Sequence, residues 1–180
     1  MAMKKLSGAA YVKDGYGQVE PNHLSARRTG QIYAQLPANK NIEVLENGQF
    51  VKYDYATGEV NYTGAGEWML VLNEIKTYEP RQTDKDFAMI KDNYDARVYN
   101  AVGASMPDGT TMVPRVLKTN VGDIFTTNTV NETELAVNDE LSPDANGFLS
   151  KSGDGSMTWK VVKVYTMPDG QPGVKIHRVA

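Results

Sequence analysis

Asn47-Gly48 is the feature that most constrains how this chain folds. A two-residue type I′ turn needs φ > 0 at both central positions, and Asn-Gly is the dipeptide that takes this conformation most readily. Such a turn fixes a register. Val44 then faces Val51 and Ile42 faces Tyr53 on one side of the ribbon, with Leu45 opposite Phe50 and Glu43 opposite Lys52 on the other. The first set is apolar, and the second ends in an opposite-charge pair of the kind that contributes roughly 0.2–1 kcal/mol. The sequence therefore predicts a hairpin over 42–54. Downstream, Glu67-Trp-Met-Leu-Val-Leu-Asn-Glu-Ile75 puts Trp68, Leu70 and Leu72 on one face and Met69, Val71 and Ile75 on the other. Apolar residues on both faces predict a strand covered on both sides and central to a sheet or barrel. A short buried helix is the alternative; the Val and Ile content and the Gly64-Ala-Gly66 lead-in favour the strand.

Along the chain, short apolar runs alternate with Gly, Pro, Asn and Asp clusters. Strands are predicted at 31–36, 59–62, 95–100, 111–118, 121–127, 134–137, 147–150, 157–167 and 172–179, and Pro114 marks the 111–118 strand as an edge. One helix is predicted at 83–95. Thr83 caps it, Asp84 and Asp86 sit in its first turn, and Phe87, Ile90 and Tyr94 share one stripe. The expected fold class is mainly β: a compact β-barrel or β-tulip-like body over 31–180, with an insertion at 76–118. Residues 1–30, rich in Gly and without a clear period, read as an extended N-terminal arm.

Charge is uneven. Residues 1–30 hold Lys4, Lys5, Lys13, Arg27 and Arg28 against Asp14 and Glu20, five minus two or +3, whereas 119–158 hold seven acidic residues against Lys151, or −6. A basic arm on an acidic body suggests docking to a complementary protein surface or to phosphate, the alternative being a solvated terminus whose charge is accidental. The net charge of −3 argues against nucleic acid as the partner. With no cysteine, disulfides and thiolate metal sites are excluded. No apolar run approaches the ~18 residues of a membrane span, and the basic first residues lack the apolar core of a secretory signal.

Chemistry-bearing motifs are sparse. The two histidines, His23 and His177, have no ligand spacing between them. Phosphate loops, dinucleotide fingerprints and nucleophile elbows are absent from the sequence, so no enzyme activity, cofactor or metal is expected. Asp144-Ala-Asn-Gly147 matches the start of a calcium loop but lacks its later ligands, and reads as a turn.

Two runs carry a resemblance. Val121-Gly-Asp-Ile-Phe-Thr-Thr-Asn-Thr-Val130 and Asn138-Asp-Glu-Leu-Ser-Pro-Asp-Ala-Asn-Gly-Phe-Leu149 resemble tailed-bacteriophage head decoration (cement) proteins and other minor capsid proteins. The Asn47–Asp54 and Glu67–Glu74 runs are similar to segments of phage structural proteins. The resemblance implies a non-enzymatic virion protein, made in the host cytoplasm, that binds the outer capsid surface and stabilises neighbouring major capsid subunits. The arm, through Lys4, Lys5, Lys13, Arg27 and Arg28, is the expected capsid-binding element. The major capsid protein is the expected partner, with a second copy of the chain as another. Alternatives are a head-fibre base or tail component of the same virion, a carbohydrate-binding module using exposed Tyr and Trp, and a hydrolase with a carboxylate pair.

Overall fold

The computed structural model describes residues 19–28, 34–42, 44–72, 88–90, 113–167 and 171–180. Its regular elements are β1 (Val19–His23), α1 (Ser25–Arg28), β2 (Ala34–Gln35), β3 (Val44–Glu46), β4 (Phe50–Asp54), β5 (Glu59–Asn61), β6 (Trp68–Val71), β7 (Ala88–Ile90), β8 (Arg115–Leu117), β9 (Ile124–Thr127), β10 (Glu140–Pro143), β11 (Leu149–Ser150), β12 (Trp159–Thr166) and β13 (Pro172–Arg178). They form a six-stranded sheet, β1-β9-β13-β12-β10-β11, a five-stranded sheet, β2-β8-β6-β4-β5, and the pair β3-β7. The sheets curl into half-barrels, in line with the mainly β, barrel-like class that the sequence predicts.

The main core lies between the two large sheets. Phe50 of β4 meets Phe125 of β9 and Trp159 of β12 at ring-centroid distances of 6.4 and 5.9 Å, and Phe125 stands edge-on to Trp159 at 4.9 Å. A second core on the far face of the five-stranded sheet gathers Ala38, Ile42, Leu45, Val51, Val60, Met69, Val71 and Val116. Strand β6 is the shared wall. Trp68 and Leu70 enter the first core and Met69 and Val71 the second, so the strand is central and buried on both faces as its pattern predicts.

The predicted hairpin does not form. Strand β3 pairs with β7, Val44 opposite Ile90 and Glu46 opposite Ala88, while β4 pairs with β5 and β6. The turn itself is present: the Gln49 N–H donates to the Glu46 carbonyl at 3.1 Å. Only Gly48 of its central pair has positive φ, at 88°, which fits type II and not type I′. The second rung is lost to a side chain. The Glu46 N–H donates to Gln49 Oε1 at 3.0 Å, and the Gln49 carbonyl accepts instead from the Val71 N–H at 2.9 Å. The Phe50 N–H goes to the Gly147 carbonyl at 2.7 Å. With its ladder groups diverted, the chain fans into two sheets at this turn.

Other departures have local causes. The centre of the helix expected at 83–95 is strand, since Ala88–Ile90 pairs with β3 and the neighbouring β-lattice overrides a weak helical stripe; its flanks lie outside the described residues, as does the 95–100 strand. Strand β8 is not an edge, because Pro114 precedes it and leaves its amides free to pair with β2 and β6. Residues 134–137 lead into a turn, closed by the Ala136 N–H on Asp139 Oδ2 at 2.8 Å, and the strand begins at Glu140. The stretch assigned to an arm includes part of the body. Val19–His23 pairs with β9, Leu24 is buried in the main core, and α1 is anchored by the Ser25 N–H and Oγ on the Asp123 carboxylate at 2.9 and 3.1 Å. Residues 1–18 lie outside the described residues.

Candidate interaction surface

Side-chain alternation sends Phe125, Val161, Val174 and Ile176 into the main core, so the residues between them stand on the opposite face of the six-stranded sheet. Cross-strand pairing arranges that outer face in two rows. One runs Glu140, Lys160, His177, Ile124, His23; the other runs Lys163, Lys175, Thr126, Glu20. An irregularity between Val161 and Lys163 leaves Val162 as an extra residue, and it is 40% exposed.

Three lysines therefore share one outer face, Lys163 exposed and Lys160 and Lys175 half-buried, with Thr126 of the same row covered. Among the described residues Lys160, Lys163 and Lys175 join no ion pair; the pairs formed are Lys52–Asp154 at 3.6 Å, Lys118–Glu67 at 2.6 Å and Lys151–Asp139 at 2.9 Å, all elsewhere. The Lys163 ammonium instead lies 5.4 Å from the centroid of the Tyr165 ring. At the margin, Tyr165 donates its hydroxyl to Glu20 Oε2 at 3.2 Å and the Thr126 hydroxyl donates to Asn22 Oδ1 at 2.7 Å. Burial, with the Glu20 carboxylate adding to it, holds the Tyr165 phenol above its ordinary value, against a lowering hydrogen bond with Thr126.

Of the arm residues named from the sequence, only Arg27 and Arg28 lie within the described residues. Arg27 and Arg28 belong to α1, whose backbone sits where β1 ends and β9 begins, tied down further by Asn120 Nδ2 donating to Ser25 Oγ at 2.8 Å. Lys4, Lys5 and Lys13 lie outside the described residues. The sequence reading passed over Lys160, Lys163 and Lys175: in Trp159-Lys-Val-Val-Lys-Val-Tyr the two lysines fall on opposite phases, and only the extra residue Val162 brings them to one face. It also missed that the two histidines come together: His23 and His177 flank Ile124 on neighbouring strands.

Other features of the sequence are structural. Trp68 and Trp159 are buried, which removes both indoles from a sugar-stacking role. Asp144 closes a turn, its Oδ1 accepting from the Asn146 and Phe148 amides at 2.8 and 3.0 Å. Among the described residues no group of three His, Asp or Glu side chains is arranged to hold a metal, and no helix is long and apolar enough to cross a membrane. What the outer sheet face can do chemically is attract and hold an anionic surface. No protein-family model matches the chain, and neither a characterised protein nor a solved structure is detectably similar to it.

Proposed function

We propose that this protein is a non-enzymatic component of a virion that binds the outer surface of an icosahedral head and steadies neighbouring major capsid subunits. The observation that carries this reading is the outer face of the six-stranded sheet, where among the described residues no carboxylate pairs with Lys160, Lys163 or Lys175, in a chain of net charge −3. A protein that is negative overall yet concentrates cations on one sheet face favours a particular anionic surface over anions at large. The runs that resemble head decoration proteins lie beside this face, in β9, β10 and β11. Binding to the assembled shell and not to free subunits stabilises the shell by mass action. Arm residues Lys4, Lys5 and Lys13 add charge to the same attraction.

The test is co-sedimentation with undecorated heads at low and high salt. Binding that weakens as salt rises is the expected outcome, since screening acts over roughly 10 Å at 0.1 M. Failure to sediment with heads at either salt concentration overturns the reading.

A further inference from the structure

Lys163 and Lys175 are direct cross-strand partners on β12 and β13, and both lie on the outer face. Like charges placed opposite one another weaken a ladder. Among the described residues no carboxylate pairs with either. The next residue in their row is Thr126, and Glu20 beyond it is already hydrogen-bonded by Tyr165. In the adjacent row Lys160 faces Glu140 and His177 without forming an ion pair. The chain holds seven acidic residues between 119 and 158, and none closes on these two ammonium groups.

Resting on the shell-binding reading, we infer that the Lys163–Lys175 pair is a socket for carboxylates on the partner protein, with Lys160 adding charge from the adjacent row. Carboxylates fit better than a phosphate backbone for two reasons. Glu20 ends one row and Glu140 ends the other, so a continuous polyanion crossing the sheet meets negative charge at the margins, whereas a compact group of Asp or Glu side chains fits between them. The Tyr165 ring, the aromatic beside the pair, has the Lys163 ammonium 5.4 Å from its centroid, which competes with a stacking base for that face.

The test uses the whole protein with a fluorescently labelled hexaglutamate peptide at low salt, and a hexathymidylate of matched length as the rival ligand. Lys175→Glu creates an opposite-charge pair with Lys163, so its melting temperature should equal or exceed that of the wild type while peptide affinity falls by about tenfold or more. Lys163→Gln with Lys175→Gln should lose affinity without loss of fold. Peptide binding that is absent in the wild type, or unchanged by Lys175→Glu, overturns the socket. So does tighter binding of the oligonucleotide that is lost in the same variant, which would assign the face to nucleic acid. Heads sedimented equally well by wild type and Lys175→Glu would overturn the socket and leave the shell-binding reading standing. Peptide captured through the lysines by a protein that ignores heads would do the reverse.

Discussion

Asp154 Oδ2 accepts the indole N–H of Trp68 at 2.7 Å, joining the loop before β12 to the five-stranded sheet. Lys52 supports the pair, 3.6 Å from the same carboxylate oxygen and 4.6 Å from the centroid of the Trp68 ring. The other indole is placed differently. Trp159 is fully buried among Phe50 and Phe125, and its N–H has no acceptor among the described residues.

Replacing each Trp with Phe should therefore give opposite polar consequences. Trp68→Phe forfeits a hydrogen bond to a charged group, worth about 1.5–3 kcal/mol. Trp159→Phe leaves a small void but removes a buried donor whose unmet desolvation costs about 1–3 kcal/mol. Urea unfolding should find Trp68→Phe the more damaging, although Trp159 is the more buried. The reverse order would show that packing around Trp159 outweighs its unmet hydrogen bond.

The same carboxylate sets an acid response. Burial raises the Asp154 pKa, but hydrogen bonds from Ser156 and Trp68 and the charge of Lys52 together hold it below the ordinary 3.8. A carboxyl depressed in the folded state contributes stability that is fully present above its unfolded pKa. That contribution is lost as pH falls through the folded value. The stability gap between wild type and Asp154→Asn should be constant from pH 7 to about 5 and close below the ordinary aspartate range. A gap that persists at the acid end would contradict this assignment.

Gly48 combines a φ of 88° with crowding, since a Cβ there would stand 2.7 Å from Thr127 Oγ1 and 2.9 Å from Thr129 Cβ. Gly58, at 70°, faces open space. Gly58→Ala should cost about 1 kcal/mol, the strain of the left-handed conformation alone. Gly48→Ala should exceed it by about 1–2 kcal/mol, the range for forced repacking. Equal costs in thermal melts would mean that the turn is not wedged against β9.

Leu24 separates an arm from a body. It is 2% exposed in the main core. Leu24→Ala should destabilise the protein by about 2–5 kcal/mol. A melting curve that ignores the change would return residues 19–28 to the arm.

What the sequence disclosed was what local pattern controls. Strand β6 announced its double burial because four successive residues, Trp68 to Val71, are apolar on both phases. The β12 and β13 strands were legible from their β-branched runs between turn residues. The pairing that brings Lys163 opposite Lys175 was not, because register across a ribbon with an irregularity cannot be counted from its ends. The hairpin failed as a prediction for a different reason. Its local chemistry was sound, but besides the adjacent Gln49 side chain the groups that dismantle it are Val71 and Gly147, and a window around Asn47-Gly48 does not contain those two. The arm drew attention by its charge, while Val19 and Leu24, the residues that pin its second half, are too few to show a period.

The turn at 46–49 also sets a condition on synthesis. Gln49 Nε2 donates to the Asn146 carbonyl at 2.6 Å, the Asn47 carbonyl accepts the Thr129 hydroxyl at 2.6 Å, and Ser25 waits on Asp123. Each of these early residues finds its partner some eighty to a hundred positions later. Contacts of such span close slowly, because chain entropy is spent before they form. The main core, which joins Phe50 and Trp68 to Phe125 and Trp159, therefore closes only after residues beyond 159 have emerged, and a nascent chain halted near residue 118 should be more sensitive to protease than the whole protein.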